Sequence, residues 1–191
     1  VVTDAHARRC SEFAQKLEQD FGRPFLAQPL DVTDYDAVGR VIATVVERYG
    51  RIDILINNAG WSKIEPVAEM ALETWRKCLD VDLNGTFNCM RHVLPHMIAR
   101  KTGAIVNISS IAAWEPTTEH GAAYSAAKAG VQALTRTIAL DCAARGLPMA
   151  GGDFQVGQAT ISLGGLCARD DVVCPQHVFP LDVTLTQSDP Q

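Results

Sequence analysis

Apolar positions along this chain change period as it proceeds, from short β-branched runs to recurrences every three or four residues, and the change marks out alternating strands and helices. Val1-Val2-Thr3-Asp4 reads as the end of a strand, and Phe13, Leu17 and Phe21 recur at helical spacing within a helix predicted over Ala7 to Phe21. Phe25 to Leu30 makes the next strand. Asp31-Val32-Thr33-Asp34 then offers side-chain oxygens for a helix start, and Val38, Val41, Ile42 and Val45 form an apolar stripe ending at Tyr49-Gly50. A strand over Asp53 to Asn57 runs into the polar, glycine-ended exit Asn57-Asn58-Ala59-Gly60. A long helical stretch follows from Ala71 to Arg100, then a strand from Ala104 to Ser110 and a helix from Tyr124 to Arg145 carrying Val131, Leu134, Ile138 and Ala139. Alternation of this kind predicts an α/β fold, a doubly wound parallel sheet with helices on both faces, because parallel neighbours need crossover connections.

Composition narrows the picture by exclusion. At 191 residues and 47% hydrophobic, the chain is long enough for one domain with a real core. Its 17 basic and 22 acidic residues give a net charge of -5 and are dispersed, which argues against a polyanion-binding face, so no nucleic-acid partner is expected. No apolar run approaches the ~20 residues of a membrane span, so no membrane partner is expected either. The cysteines at 10, 78, 89, 142, 167 and 174 show no C-x-x-C spacing and read as reduced thiols, pointing to a cytoplasmic setting. Val1 is not an initiator methionine and no signal segment precedes the first strand; the chain reads as a piece of a soluble protein.

The chemistry concentrates in Tyr124-Ser125-Ala126-Ala127-Lys128, where a phenol and an ammonium four positions apart share a helix face. A free phenol titrates near pH ~10, and a neighbouring cation favours the phenolate, moving the group toward the range useful for proton transfer. By itself the spacing also fits an ordinary amphipathic helix. Upstream, Gly103-Ala104-Ile105-Val106-Asn107-Ile108-Ser109-Ser110 is a β-branched run that stops at two hydroxyls, as a buried parallel strand does at a site. His92, His96 and His120 lack the spacing and carboxylate company of a metal site, so no metal is expected.

With Asn57-Asn58-Ala59-Gly60, the strand-end serines and Tyr-x-x-x-Lys in this order, the sequence resembles the short-chain dehydrogenase/reductase family almost continuously from Val1 to Leu147. The resemblance implies a Rossmann-like fold and interconversion of a secondary alcohol and a ketone with a nicotinamide cofactor. It assigns the proton to Tyr124, a pKa-lowering and ribose-binding role to Lys128, and a substrate-positioning hydroxyl to Ser110, with Ser109 the runner-up. In Val81-Asp82-Leu83-Asn84-Gly85-Thr86-Phe87, Asp82 stands where relatives carry an asparagine, a fourth site member whose backbone carbonyl helps hold a water leading to the lysine. Asp4, at the end of the second strand of that fold, is implied to accept from the adenosine ribose hydroxyls, favouring NAD over NADP, although Arg8 and Arg9 lie nearby. Asp31 and Val32 match the adenine contact, Asp31 being alternatively a helix cap, and Asn58, Ala59 and Gly60 are implied to line the cofactor together with Tyr124 and Lys128. Trp61, Trp114 and His120 are candidate walls for a small carbonyl or alcohol substrate. Relatives pair the two long helices into a four-helix bundle, so a homodimer or homotetramer is implied.

Departures from the family pattern are equally informative. The glycine-rich turn that holds a pyrophosphate in relatives is not found, and a segment is inferred to be missing between Leu147 and about Gly152. Residues 154 to 165 resemble the family's last strand, giving one incomplete domain over 1–165 and an irregular tail over 166–191. The competing expectation is an inactive truncated product that acts only through oligomerisation.

Overall fold

The computed structural model describes residues 1–115, 120–147, 149–156 and 159–166, the last two ranges as backbone. The expected tail therefore lies, from Cys167 onward, outside the described residues, as does Pro148 in the segment where a gap is inferred. The order is β1 (Val2–Asp4), α1 (Ala7–Phe21), β2 (Ala27–Pro29), α2 (Tyr35–Tyr49), β3 (Ile54–Asn57), α3 (Leu72–Leu79), α4 (Gly85–Arg100), β4 (Ala104–Ile108), α5 (Ala122–Ala144), β5 (Met149–Val156) and β6 (Ala159–Leu166). Short turns of other helix types lie at Asp80–Asn84, a π turn, and Ile111–Ala113, a 3-10 turn.

Strand pairing follows the crossover logic through β4. β1 and β2 pair in parallel with Val2 opposite Ala27, and β3 and β4 pair in parallel with Ile54 opposite Ala104 and Asn57 opposite Asn107. Among the described residues these pairs belong to separate sheets, β1-β2 and β3-β4-β6-β5. β3 is thus an edge of its sheet rather than the fully buried strand its sequence predicts: Ile54 and Ile56 are 63% and 62% exposed, while Asn57 is buried.

The end of the sheet differs from expectation. The single last strand predicted over 154 to 165 is a pair, β5 and β6, running antiparallel with Met149 opposite Leu166 and Val156 opposite Ala159. Only residues 157 and 158 separate them, too few for a crossover, so the return must be antiparallel. β6 also lies antiparallel to β4, with Ile105 opposite Gly164, so β5 points the same way as β4 and the β4-α5-β5 crossover survives with β6 between its strands.

Local chemistry explains the helix ends. Asp34 caps α2 by accepting from the Ala37 N–H at 2.8 Å, and Gly50 closes it at φ 75°, a conformation that favours glycine. α1 spans the predicted residues, yet Phe13 and Phe21 are 52% and 64% exposed, because the small β1-β2 platform covers only the Cys10 and Ala14 side. The main core is built where α4 and α5 meet the larger sheet: Met90, Val93, Met97, Ile105, Cys142 and Leu147 are all at most 2% exposed. No helix among the described residues is long and apolar enough to cross a membrane.

Candidate active site

β4 ends at Ile108 and delivers Ser109 and Ser110, both buried, to the mouth of α5. The Ser110 hydroxyl accepts from the Ala112 N–H at 3.2 Å, capping the 3-10 turn, and shares a hydrogen bond with the Tyr124 phenol. Ser109 instead donates to the Lys128 carbonyl at 3.0 Å. The two hydroxyls therefore divide the work: Ser109 ties strand to helix, and Ser110 meets the phenol. Tyr124 and Lys128 lie one turn apart on α5, with Nζ 5.4 Å from the centre of the tyrosine ring.

Lys128 is 3% exposed, and its Nζ donates to the Ile108 carbonyl at 3.0 Å. On its other side stands Asp82, fully buried, with Oδ1 3.1 Å from Nζ. Asp82 sits in the π turn that interrupts the helix predicted as one stretch over 71–100. Its Oδ2 accepts from the Trp61 N–H at 2.8 Å, joining the β3 exit to the site. The Cys78 thiol is 4.0 Å from the same oxygen and donates to the Trp61 carbonyl at 3.2 Å. Asn84, two residues on, is exposed and bonds Asp80 at 2.8 Å, away from the site.

The electrostatics depart from the expectation that Lys128 acidifies the phenol. Burial raises the Tyr124 pKa above its ordinary value; the Ser110 hydrogen bond opposes this, and the charges of Asp82 and Cys78 add to it. The first physical reason is that burial disfavours the charged phenolate, and the Lys128 ammonium that could offset this is itself paired with the Asp82 carboxylate at 3.1 Å. Burial likewise raises Asp82, against the pull of Lys128 and the Trp61 N–H, and burial followed by the Asp82 charge pushes the Cys78 thiol up to about 11.

The residues expected to hold a nucleotide lie at the exits of the parallel strands. Asn58, Ala59 and Gly60 are exposed after β3. A Cβ on Gly60 would sit 3.1 Å from Asp82 Oδ1 and 3.6 Å from Lys128 Nζ, so the glycine lets backbone approach the buried pair. Asp4 ends β1, and the hydrogen bonds from the His6 N–H (2.7 Å) and Arg9 Nη2 (2.9 Å) both go to its Oδ1. Arg8 turns to Glu12 at 2.9 Å. Asp31 accepts from the Thr33 N–H and hydroxyl through Oδ1, so it forms a local turn while Asp34 is the helix cap. Val32 packs over Gly85, and its carbonyl accepts from Asn88 at 2.9 Å. A crevice of about 370 Å³ opens at Asp31, between the turn after β2 and α3, and is lined by Asp31, Thr33, Arg76, Lys77 and Asp80. This set fits a nucleotide: carboxylates with a second oxygen for hydroxyls, an exposed glycine-ended strand exit and a polar crevice.

Of the candidate substrate walls, His120 stacks on Tyr124 with ring centres 4.8 Å apart. Trp61 is half-buried under the Lys77 ammonium at 4.5 Å, and Trp114 is 59% exposed. Behind the site lies a buried polar network, whose tie between neighbouring strands at Asn57 is legible in the sequence and whose extension through Asn107 to Thr135 sequence reasoning passed over. Asn57 donates to Asn107 at 2.7 Å, Asn107 donates to Thr135 at 2.8 Å, and Thr135 donates to the Val131 carbonyl at 2.7 Å, linking β3, β4 and α5. The signal was present, since Asn107 is a polar residue inside a buried apolar run.

Known proteins resemble the chain that carries this geometry. The family model described as short chain dehydrogenase matches residues 1–150. The chain is 40% identical over 120 residues to the 3-oxoacyl-[acyl-carrier-protein] reductase FabG of Thermotoga maritima, covering 62% of this chain and 48% of that protein. It is 39% identical over 148 residues to cis-4-hydroxycyclohexanecarboxylate dehydrogenase of Sinomonas cyclohexanicum, covering 77% and 59%. Among solved structures, a gluconate 5-dehydrogenase from Burkholderia cenocepacia in complex with NADP and tartrate superimposes with a TM-score of 0.69 at 32% identity, covering 76% of this chain and 56% of that one. The chain spans about half the length of the curated relatives it matches.

Proposed function

Because the chain belongs to the short-chain dehydrogenase family, we propose that it interconverts a secondary alcohol and a ketone through Ser110, Tyr124 and Lys128, using a nicotinamide cofactor. The observation that carries this reading is the phenol of Tyr124 hydrogen-bonded to Ser110 one helical turn from the Lys128 ammonium. In the reductive direction the ketone oxygen accepts hydrogen bonds from Ser110 and Tyr124, and the Tyr124 proton passes to that oxygen as the carbonyl carbon receives hydride. In the oxidative direction the same proton returns to the phenolate. When bound, the nicotinamide supplies or accepts the hydride.

The cofactor is held, in this reading, by Asp4, Asp31, Val32, Asn58, Ala59 and Gly60, with Lys128 at the ribose. The second oxygen of Asp4 favours a ribose hydroxyl over a phosphate, and hence NAD over NADP, while the paired Arg9 keeps the preference from being absolute. A second copy of the chain is the partner: α4 and α5 present a groove of about 440 Å³ lined by Phe87, Leu94, Pro95, Ile98 and Ile138, with Phe87 42% exposed. Of the small residues on α5, Ala127 and Gly130 are used within the chain, Ala127 being fully buried and Gly130 lying under Leu83. The buried free thiols Cys10, Cys78, Cys89 and Cys142 support a reducing, cytoplasmic setting.

The test is direct. NADH and NADPH are titrated into the purified chain while fluorescence of Trp61, Trp75 and Trp114 is followed, and turnover is measured on a panel of ketones. Saturable micromolar binding with turnover supports the reading; no binding up to millimolar cofactor overturns it for this chain.

A further inference from the structure

Asp82 is a carboxylate with no access to solvent, and its Oδ1 makes no hydrogen bond of its own although it faces Lys128 Nζ at 3.1 Å. Burying a charge is tolerated only when a partner compensates it, and here each partner neutralises the other. The consequence falls on the third ionisable group. Lys128 Nζ lies 5.4 Å from the Tyr124 ring centre, close enough that an unpaired ammonium would strongly stabilise a phenolate. With Asp82 behind it, the phenol faces a pair whose net charge is zero.

We propose that Asp82, through its buried ion pair with Lys128, cancels the ammonium's pull on the Tyr124 proton, so that alcohol oxidation, which needs the phenolate, sets in at a more alkaline pH than it would beside an unpaired lysine. The inference rests on the oxidoreductase reading above and adds the pH dependence of its oxidative direction. Asp82 is a positioning residue here: it touches the lysine, the Trp61 N–H and no reacting atom. The other groups around the phenol do not reverse the balance. Ser110 hydrogen-bonds it from the end of β4, Cys78 of α3 is a thiol that burial keeps protonated at neutral pH, and His120 stacks against its ring from the segment before α5. Burial raises the Tyr124 pKa, and the Asp82 charge adds to the rise in the same sense as this arrangement.

The experiment is a pH titration of the tyrosine Cζ resonances of the full chain, with Tyr124→Phe identifying the Tyr124 signal among those of Tyr35 and Tyr49. In Asp82→Asn the Tyr124 midpoint falls by roughly 1 pH unit or more, the scale of one nearby compensated charge. An unchanged or higher midpoint in a variant with native circular dichroism overturns the proposal. Because Asp82→Asn leaves Lys128 buried without its partner, the neutral pair Asp82→Asn/Lys128→Met is titrated alongside. Its midpoint stays within about 0.3 unit of the parent if the charges cancel at the phenol, and a rise of about a unit or more overturns cancellation. No substrate or cofactor is needed, so a chain that shows these shifts but fails to turn over keeps the charge cancellation at the phenol and sinks the oxidoreductase reading together with the pH dependence drawn from it. Where turnover is measured, Asp82→Asn moves the onset of alcohol oxidation to lower pH by the same shift.

Discussion

At Tyr124 the reaction depends on a single oxygen that can both donate and return a proton. Tyr124→Phe is expected to lower turnover by about 10²- to 10⁴-fold, the usual contribution of a positioned acid, while cofactor affinity measured by fluorescence titration stays within a few fold. Equal loss of both would show that the phenol is structural. Ser109 and Ser110, adjacent in sequence, separate in this experiment. Ser110→Ala removes the hydrogen bond to the phenol and lowers turnover, whereas Ser109→Ala loosens a β4 to α5 tie and is read as a lower melting temperature. Tyr124, Lys128 and the serines were legible because their spacing along one helix and at one strand end is itself the geometry. The charge state of the group they form was not, because Asp82 enters from a different element.

The elements that hold the site do so through polar groups inside an apolar frame. Asn107 bridges Asn57 of β3 and Thr135 of α5, and neither partner has water to fall back on, Asn107 being 1% exposed. Asn107→Ala is expected to destabilise the fold by about 1–3 kcal/mol for each stranded group, measured as a shift in the urea midpoint at constant slope. A change below ~0.5 kcal/mol would mean that neighbouring groups re-pair. The π turn at Asp80–Asn84 is the element least visible in sequence. Periodicity predicts one helix through it, and the Thr86 hydroxyl bonding the Asp82 carbonyl at 2.9 Å is local chemistry that any helix can show. What turns the Asp82 side chain inward is the combined pull of Lys128 and the Trp61 N–H, contacts that lie far away in sequence.

The whole molecule carries carboxylates that pull its acid stability in opposite senses. The His6 N–H beside Asp4, the Arg100 guanidinium beside Asp53 and the Lys63 ammonium beside Glu65 hold these groups below their ordinary values of 3.8 and 4.5. Their folded pKa values are depressed, so the unfolded chain binds more protons, and the stabilisation they give above those values is lost as pH falls through the folded ones. Asp82, raised by burial, works the other way: the fold favours its proton and it offsets part of that loss. Unfolding followed by circular dichroism is therefore expected to show stability declining from about pH 4 downward, with Asp53→Asn flattening the decline and a pH-independent melt counting against the assignment. Assembly is tested by light scattering. The parent chain is expected to run as two or four copies, and Phe87→Asp, at a 42% exposed position lining the α4-α5 groove, shifts it toward one; a single copy at working concentration removes the α4-α5 contact.

The sequence by itself determined the alternation of strands and helices, the parallel sense expected of strands joined by crossovers and the spacing of the Ser, Tyr and Lys set, because each is encoded within a few residues or in a repeating period. Tertiary structure alone decided that β5 and β6 form an antiparallel pair beside β4, that Ile54 and Ile56 stand on an exposed edge, and that a buried aspartate compensates the site lysine. Those outcomes depend on which segments meet in space, and the free energy of burying a charge or pairing a strand belongs to both partners and is written in neither one.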